Sequence, residues 1–154
     1  MLIGVYFAMN TNADGGEFIY DMWKENRLKP NTKWVVDDTI SNPFPIPTGV
    51  YSSTEMKNLI EDIKEVETFS KVAFSFMRLR RYPENGLIEQ MYSYDDWVES
   101  ECDLIILYWD GGYYHVYSKN EEEVRKIYAQ CIKNGYKAVE FVTTENNTRK
   151  VMYA

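Results

Sequence analysis

The chain has 154 residues, 45% hydrophobic and 27% charged, with a net charge of −7 and an isoelectric point near 4.8. This is the composition of a globular protein rather than a disordered one, and the length suits one domain, residues 1–154, with a core that needs no staples. The acidity argues against a nucleic-acid backbone or an anionic membrane surface as partner; it serves solubility and also suits a basic protein partner.

Aromatic residues make up 16% of the chain, and thirteen of them are tyrosines. Tyrosine brings area with a polar tip, so the excess fits an aromatic core, a half-buried sheet face or a contact surface. Cys102 and Cys131 have neither metal-ligand nor redox spacing. Two reduced thiols in a cytoplasmic protein are the default expectation, with a disulfide possible but not implied.

In chain order, the apolar start from Ile3 to Met9 reads as a first strand rather than a signal peptide, since it lacks a basic flank and a cleavage site. No stretch is long enough to span a bilayer. Asp14-Gly-Gly-Glu17 is a helix start, followed by Phe18, Ile19, Met22 and Trp23 on one helical face. Thr32 to Asp37 is a short strand around Trp34 and Val36. Pro43, Pro45 and Pro47 keep residues 41–50 out of any helix or central strand, and Phe44 and Ile46 are expected to tuck beneath this loop. Ser52-x-x-Glu55 is a capping box that opens a helix with Met56, Leu59, Ile60 and Ile63 inward.

Lys71 to Tyr82 reads as a long strand. Val72, Phe74 and Phe76 share a face with Arg78, Arg80 and Tyr82, so the strand is expected to leave the core near Met77 and to turn its basic end to solvent or a carboxylate-lined groove. Ser93-Tyr-Asp-Asp96 caps a short helix containing Trp97. A hairpin follows across Asp110-Gly-Gly112. Either two-residue turn puts Ile105, Leu107 and Trp109 on the core face with Tyr114 and Val116, and leaves Tyr108, Tyr113, His115 and Tyr117 opposite; a three-residue loop breaks this inference. Asn120 caps a helix carrying Val124, Ile127, Tyr128, Cys131 and Ile132, with Gly135 just past its end. Ala138 to Thr143 is a strand, and Arg149 to Tyr153 a candidate edge strand. The mixture points to an α+β fold: a mixed, mostly antiparallel sheet with helices mainly on one face.

Candidate chemistry is sparse. His115 is the single histidine, which excludes histidine pairs and clusters; a half-exposed place on a tyrosine-rich sheet face is favoured over a general base or a pH switch. Arg78, Arg80 and Arg81 form the basic cluster, able to hold a phosphate or carboxylate, though pairing with the surplus acids is favoured. Asp37-Asp38 is a poor metal clamp because neighbours on a strand point apart, and the acids at 95–96 and 121–123 suit first helical turns. No calcium loop, phosphate-binding glycine loop or nucleophile motif occurs. No metal and no cofactor is indicated. The weak site residues are Tyr108, Tyr113, His115, Tyr117, Arg78 and Arg80, as a partner surface or ligand pocket.

The ordered pieces Tyr94-Asp-Asp-Trp97, Ser100-Glu-Cys102, Ser118-Lys119, Gly135, Thr143, Glu145-Asn146 and Thr148-Arg149 resemble a family of small proteins from spore-forming Gram-positive bacteria catalogued as domain of unknown function 2691. The resemblance covers roughly residues 70–153, implies a bacterial cytosolic single domain and lends no catalytic residues. Two functions are carried forward. One is a non-enzymatic protein-binding domain, possibly of immunity or antitoxin type; the other is a small enzyme or ligand sensor with a pocket near His115 and Arg80.

Overall fold

The structure is a computed structural model that describes residues 1–9, 17–25, 28–37, 46–65, 76–109, 112–149 and 151–152. The helix start at Asp14, Phe44, the side chain of Ile63, residues 71–75, the Asp110-Gly111 step and Tyr153 lie outside the described residues.

Among the described residues, seven strands build one sheet. They are β1 (Leu2–Ala8), β2 (Thr32–Val36), β3 (Gly49–Ser52), β4 (Phe76–Pro83), β5 (Leu104–Trp109), β6 (Tyr113–Ser118) and β7 (Lys137–Thr143), in the spatial order β3-β2-β4-β5-β6-β1-β7. Every pairing is antiparallel. With α1 (Glu17–Lys24), α2 (Ser53–Glu65), α3 (Tyr94–Glu99) and α4 (Glu121–Lys133), the architecture is α+β, as expected. The segment after the prolines does become a strand, β3, but at the sheet edge, where the neighbouring prolines forfeit no central ladder bonds. Ile46 tucks inward at 1% exposure. Near the C-terminus, Val151 makes an isolated antiparallel bridge to Ser93; Lys150 lies outside the described residues.

Local chemistry sets the helix ends. Ser52 Oγ accepts from the Glu55 amide at 3.1 Å while the Glu55 carboxylate accepts from the Ser52 amide at 3.0 Å. Ser93 and Asp96 form the same reciprocal box at α3, and Asn120 caps α4 by accepting from the Glu123 amide. Gly135 takes φ 72° just past α4, the left-handed conformation a glycine reaches without strain.

The alternating strand pattern splits the buried residues between two faces. On one, α1, α2 and α4 cover Val5, Phe7, Trp34, Met77, Leu79, Ile106, Tyr108, Tyr114 and Val116. Phe7 stacks on Tyr114 at 5.0 Å and on Tyr136 at 5.4 Å, with Phe18 tilted against Phe7 at 4.9 Å. On the other face, Ile3, Val35, Tyr82, Ile105, Leu107, Tyr117 and Val142 lie under α3 and the C-terminal segment, with Met91, Trp97, Cys102 and Met152 packed on them. The two buried cysteines therefore occupy opposite faces and form no disulfide with each other.

Candidate functional site

Cross-strand register builds the polar face. Arg78 pairs with Leu107, Leu107 with His115, His115 with Tyr6, and Tyr6 with Glu140, one row across five strands. The next row runs Arg80, Ile105, Tyr117, Gly4, Val142. Gly4 is required there: a Cβ would stand 2.3 Å from the Val116 carbonyl oxygen and 3.3 Å from the Tyr117 ring.

The hairpin register corrects the sequence expectation. Trp109 pairs with Tyr113, which leaves three residues between the strands rather than two and reverses the face assignment of β6 relative to β5. Gly112 closes this loop at φ 86°. Ile105, Leu107 and Trp109 thus share a face with Tyr113, His115 and Tyr117, whereas Tyr108 stands with Tyr114 and Val116 under the helices. Tyr108 is 1% exposed and belongs to no surface.

Nor does β4 leave the core at Met77, for it pairs with β2 and β5 along its length. The basic residues stay because each is ion-paired and hydrogen-bonded in place. Arg78 Nε and Arg80 Nε donate to the same Asp37 oxygen at 2.6 and 2.9 Å, and Arg80 Nη2 reaches the other at 2.9 Å. Asp37 thereby fills the seat that two guanidiniums on one face could offer a ligand, which is the favoured pairing with a surplus acid. The remaining donors tie down loops: Arg78 to the carbonyls of Met91 (2.6 Å) and Met152 (2.9 Å), Arg80 to the Glu89 carbonyl (2.8 Å) and the Tyr82 hydroxyl (2.7 Å). Burial alone would lower the Arg80 pKa, but the hydrogen bonds and charge of Asp37 more than reverse this. Arg81 points to the helical face, wholly buried, with Glu123 at 2.8 Å and Asp103 at 2.8 Å. A depression of about 340 Å³ lies over Asp37, Arg78 and Arg80, bounded by Ile88–Tyr92.

His115 lies in a different place. Its Nδ1 accepts from Arg149 Nε at 2.7 Å, so the neutral ring carries its proton on Nε2. Burial, and then the Arg149 charge, push its pKa down to about 3. Arg149 also donates to the Val151 carbonyl at 3.2 Å and lies 4.5 Å from the centre of the Trp109 ring. Tyr6, Trp109 and Tyr117 meet the His115 ring edge-on at 4.9, 5.0 and 5.9 Å. A groove of about 290 Å³ opens here, lined by Tyr6, His115, Tyr117, residues 140–142 and the turn 146–149. Among the described residues, His115 and Arg80 line separate depressions rather than the joint pocket of the second reading. Arg149 is bonded to His115, and the Met152 carbonyl accepts from Arg78. Tyr113 is 38% exposed at the sheet end, outside both depressions.

Above this face lies the outer layer of residues 84–101. Residues 84–101 hold six carboxylates, Glu84, Glu89, Asp95, Asp96, Glu99 and Glu101, and neither lysine nor arginine. Leu87, Tyr92 and Val98 in this layer are 61%, 59% and 51% exposed, and Val151, bridged to Ser93, is 45% exposed. Lys119 touches the layer through the Ser100 carbonyl and the Trp97 ring.

Sequence reasoning missed Tyr6, Trp109, Glu140, Asn147 and Arg149 as neighbours of His115. The signal present was the resemblance, whose pieces include Thr143, Asn146 and Thr148-Arg149; that turn is closed by the Thr143 amide on Asn146 Oδ1 at 2.7 Å and the Asn147 amide on the Thr143 carbonyl at 3.0 Å.

An all-antiparallel sheet with three helices on one face, and α3 and loops over the other, thus defines the class of protein. The chain belongs to the family described as "Protein of unknown function (DUF2691)", whose model matches residues 22–153. The match takes in β2, β3 and α2, well before the point where the resemblance was legible in the sequence. Among curated relatives it is similar to the uncharacterised protein YncE of Bacillus subtilis, 31% identical over 74 residues, 48% of each chain. The alignment thus spans about half the length of that relative. No solved structure matches. Among the described residues, no helix is long and apolar enough to cross a membrane.

Proposed function

We propose that this chain is a non-enzymatic protein-binding domain whose docking face is the layer of residues 84–101 with Val151, and whose partner is a basic protein. One observation carries the reading: the exposed apolar side chains Leu87, Tyr92, Val98 and Val151 belong to the layer where six carboxylates stand in sequence without a lysine or arginine. Apolar anchors set among charges of one sign are the composition of a selective interface. An immunity-type role, blocking a basic toxin, suits the same charge.

The chemical groups support binding over catalysis. Burial pushes the Cys102 thiol up to about 12, His115 is neutral with Nδ1 engaged, and Arg78 and Arg80 are committed to Asp37. A thiol so raised is a poor nucleophile at neutral pH.

The test is affinity purification of the tagged chain expressed in Bacillus subtilis, at physiological and at high salt. A basic protein recovered in stoichiometric amount and lost at high salt supports the reading. Recovery of no stoichiometric partner, or of one indifferent to salt, overturns it.

A further inference from the structure

An open sheet has two edges, and one of them is β7, which pairs with β1 and has no strand on its outer side among the described residues. In an antiparallel pair alternate residues bond to the neighbouring strand, and those between them turn their N–H and C=O outward. On β7 the outward residues are Phe141 and Thr143, because a side chain beyond the sheet meets them. The Asn146 carboxamide spans both: its Nδ2 donates to the Phe141 carbonyl at 3.2 Å, and its Oδ1 accepts from the Thr143 amide at 2.7 Å. One side chain thus offers a donor and an acceptor where the backbone of a further strand would offer them. The Thr143 carbonyl accepts from the Asn147 amide at 3.0 Å. Of the outward groups on Phe141 and Thr143, only the Phe141 N–H has no partner among the described residues.

A bulge interrupts the other end of this edge. The register on β1 shifts between Tyr6 and Ala8, and Ala138 takes φ 53°, the left-handed conformation that a side chain disfavours. A bulge twists an edge away from an incoming strand. The regular part of the edge is therefore Val139 to Thr143, and Asn146 covers the half nearest Thr143.

The covered edge is self-complementary. Two copies paired antiparallel about Phe141 set Phe141 opposite Phe141, Val139 opposite Thr143 and Glu140 opposite Val142. Centring the pair one residue earlier would set Glu140 against Glu140, and like charges directly opposite are destabilising. The Phe141 ring already stacks on Tyr128 at 3.9 Å, so a Phe141 pair would extend an aromatic row across the two-fold axis. The central pair would exchange two bonds, from each Phe141 N–H to the other copy's Phe141 carbonyl. Those carbonyls are the ones that Asn146 holds.

We propose that Asn146 is a stop on the β7 edge: its carboxamide stands in for the next strand and keeps a self-complementary edge from pairing with a second copy of this chain. The stop concerns β7 alone and does not depend on the docking layer of residues 84–101.

The experiment is sedimentation equilibrium of the full chain and of Asn146→Ala, with hydrogen exchange read at the Phe141 and Thr143 amides. The turn does not rest on the carboxamide alone, because the Asn146 amide donates to Thr143 Oγ1 at 3.2 Å and the Asn147 amide to the Thr143 carbonyl. Asn146→Ala should therefore keep its circular dichroism; if it does not fold, Asn146→Asp keeps the acceptor for Thr143, frees the Phe141 carbonyl and is read in the same way. The unsubstituted chain should sediment at 18.2 kDa, with a protected Thr143 amide and a fast-exchanging Phe141 amide. Asn146→Ala should rise toward twice that mass with concentration, and both amides should become protected as it does. Adding Phe141→Lys should return the mass to that of one chain, because the central lysine would face its own copy. The proposal is overturned if Asn146→Ala keeps the mass of one chain at every concentration, if it associates while the Phe141 amide still exchanges fast, or if the unsubstituted chain associates as strongly.

Discussion

The two faces of one sheet are buried by different means. Under α1, α2 and α4 the contacts are hydrocarbon and stacked aromatic rings, from Phe7 and Phe18 through Tyr114 to Tyr136, and the wholly buried Arg81 sits at one end with two carboxylates. Opposite, the apolar cluster is smaller and is roofed by loops that hang from Arg78, Arg80 and Arg149 through backbone carbonyls. The outer charges differ as well. Residues 121–133 of α4 carry three acids and three bases, some paired one turn apart, whereas residues 84–101 carry six acids and no base. Helices satisfy their own backbones and need only an apolar stripe to dock; loops must find partners for their carbonyls, and here buried Arg80 and half-buried Arg78 and Arg149 supply them. Under this proposal the helical face serves stability, and the loop-covered face recognition.

The contrast can be broken most severely at Arg81. Arg81→Ala leaves Glu123 buried without the guanidinium that holds its carboxyl ionised, and should cost about 3–5 kcal/mol in a urea denaturation. On the opposite face, Arg78→Gln frees the Met91 and Met152 carbonyls and one bond to Asp37, and should cost about 2–3 kcal/mol. Its hydrogen-exchange signature should be distinct, with protection lost in residues 89–93 and 149–152 before the helices. Equal loss across both faces would remove the distinction.

His115 sharpens the comparison through pH. Its folded pKa is about 3 against an ordinary 6.5. Between those values the unfolded chain binds the proton and the folded chain does not. Its contribution to stability is therefore complete above 6.5 and is lost as pH falls toward 3. The slope from this one group is at most about 1.4 kcal/mol per pH unit, and a His115→Gln variant should show a correspondingly flatter profile between pH 6.5 and 4.5. A histidine that titrates near 6.5 by NMR would contradict the Arg149 contact. The smallest effect belongs to the α3 cap: Ser93→Ala should cost about 1 kcal/mol in thermal or chemical unfolding and disturb only the roof.

Elements governed by local chemistry were legible in the sequence. The Ser52/Glu55 and Ser93/Asp96 boxes, the Asn120 cap, the α4 stripe and the inward Ile46 depend on residues a few positions apart. Register is set by distant residues and was not legible. One extra loop residue at Asp110-Gly-Gly112 turned Tyr108 inward and put His115 beside Trp109. The groove also needs β1 inserted between β6 and β7, so Tyr6, His115 and Glu140 meet only in three dimensions. The fate of Arg78 and Arg80 hinged on Asp37, forty residues upstream, which no spacing rule connects to them.

The central claim is that recognition belongs to the loop-covered face. It is tested most directly by comparing two exposed apolar positions in the affinity purification, Val98 on α3 and Ile132 on α4, which are 51% and 54% exposed. Val98→Asp should abolish recovery of the basic partner without lowering the unfolding temperature, and Ile132→Asp should leave recovery intact. Retention of the partner by Val98→Asp together with its loss in Ile132→Asp would contradict the account.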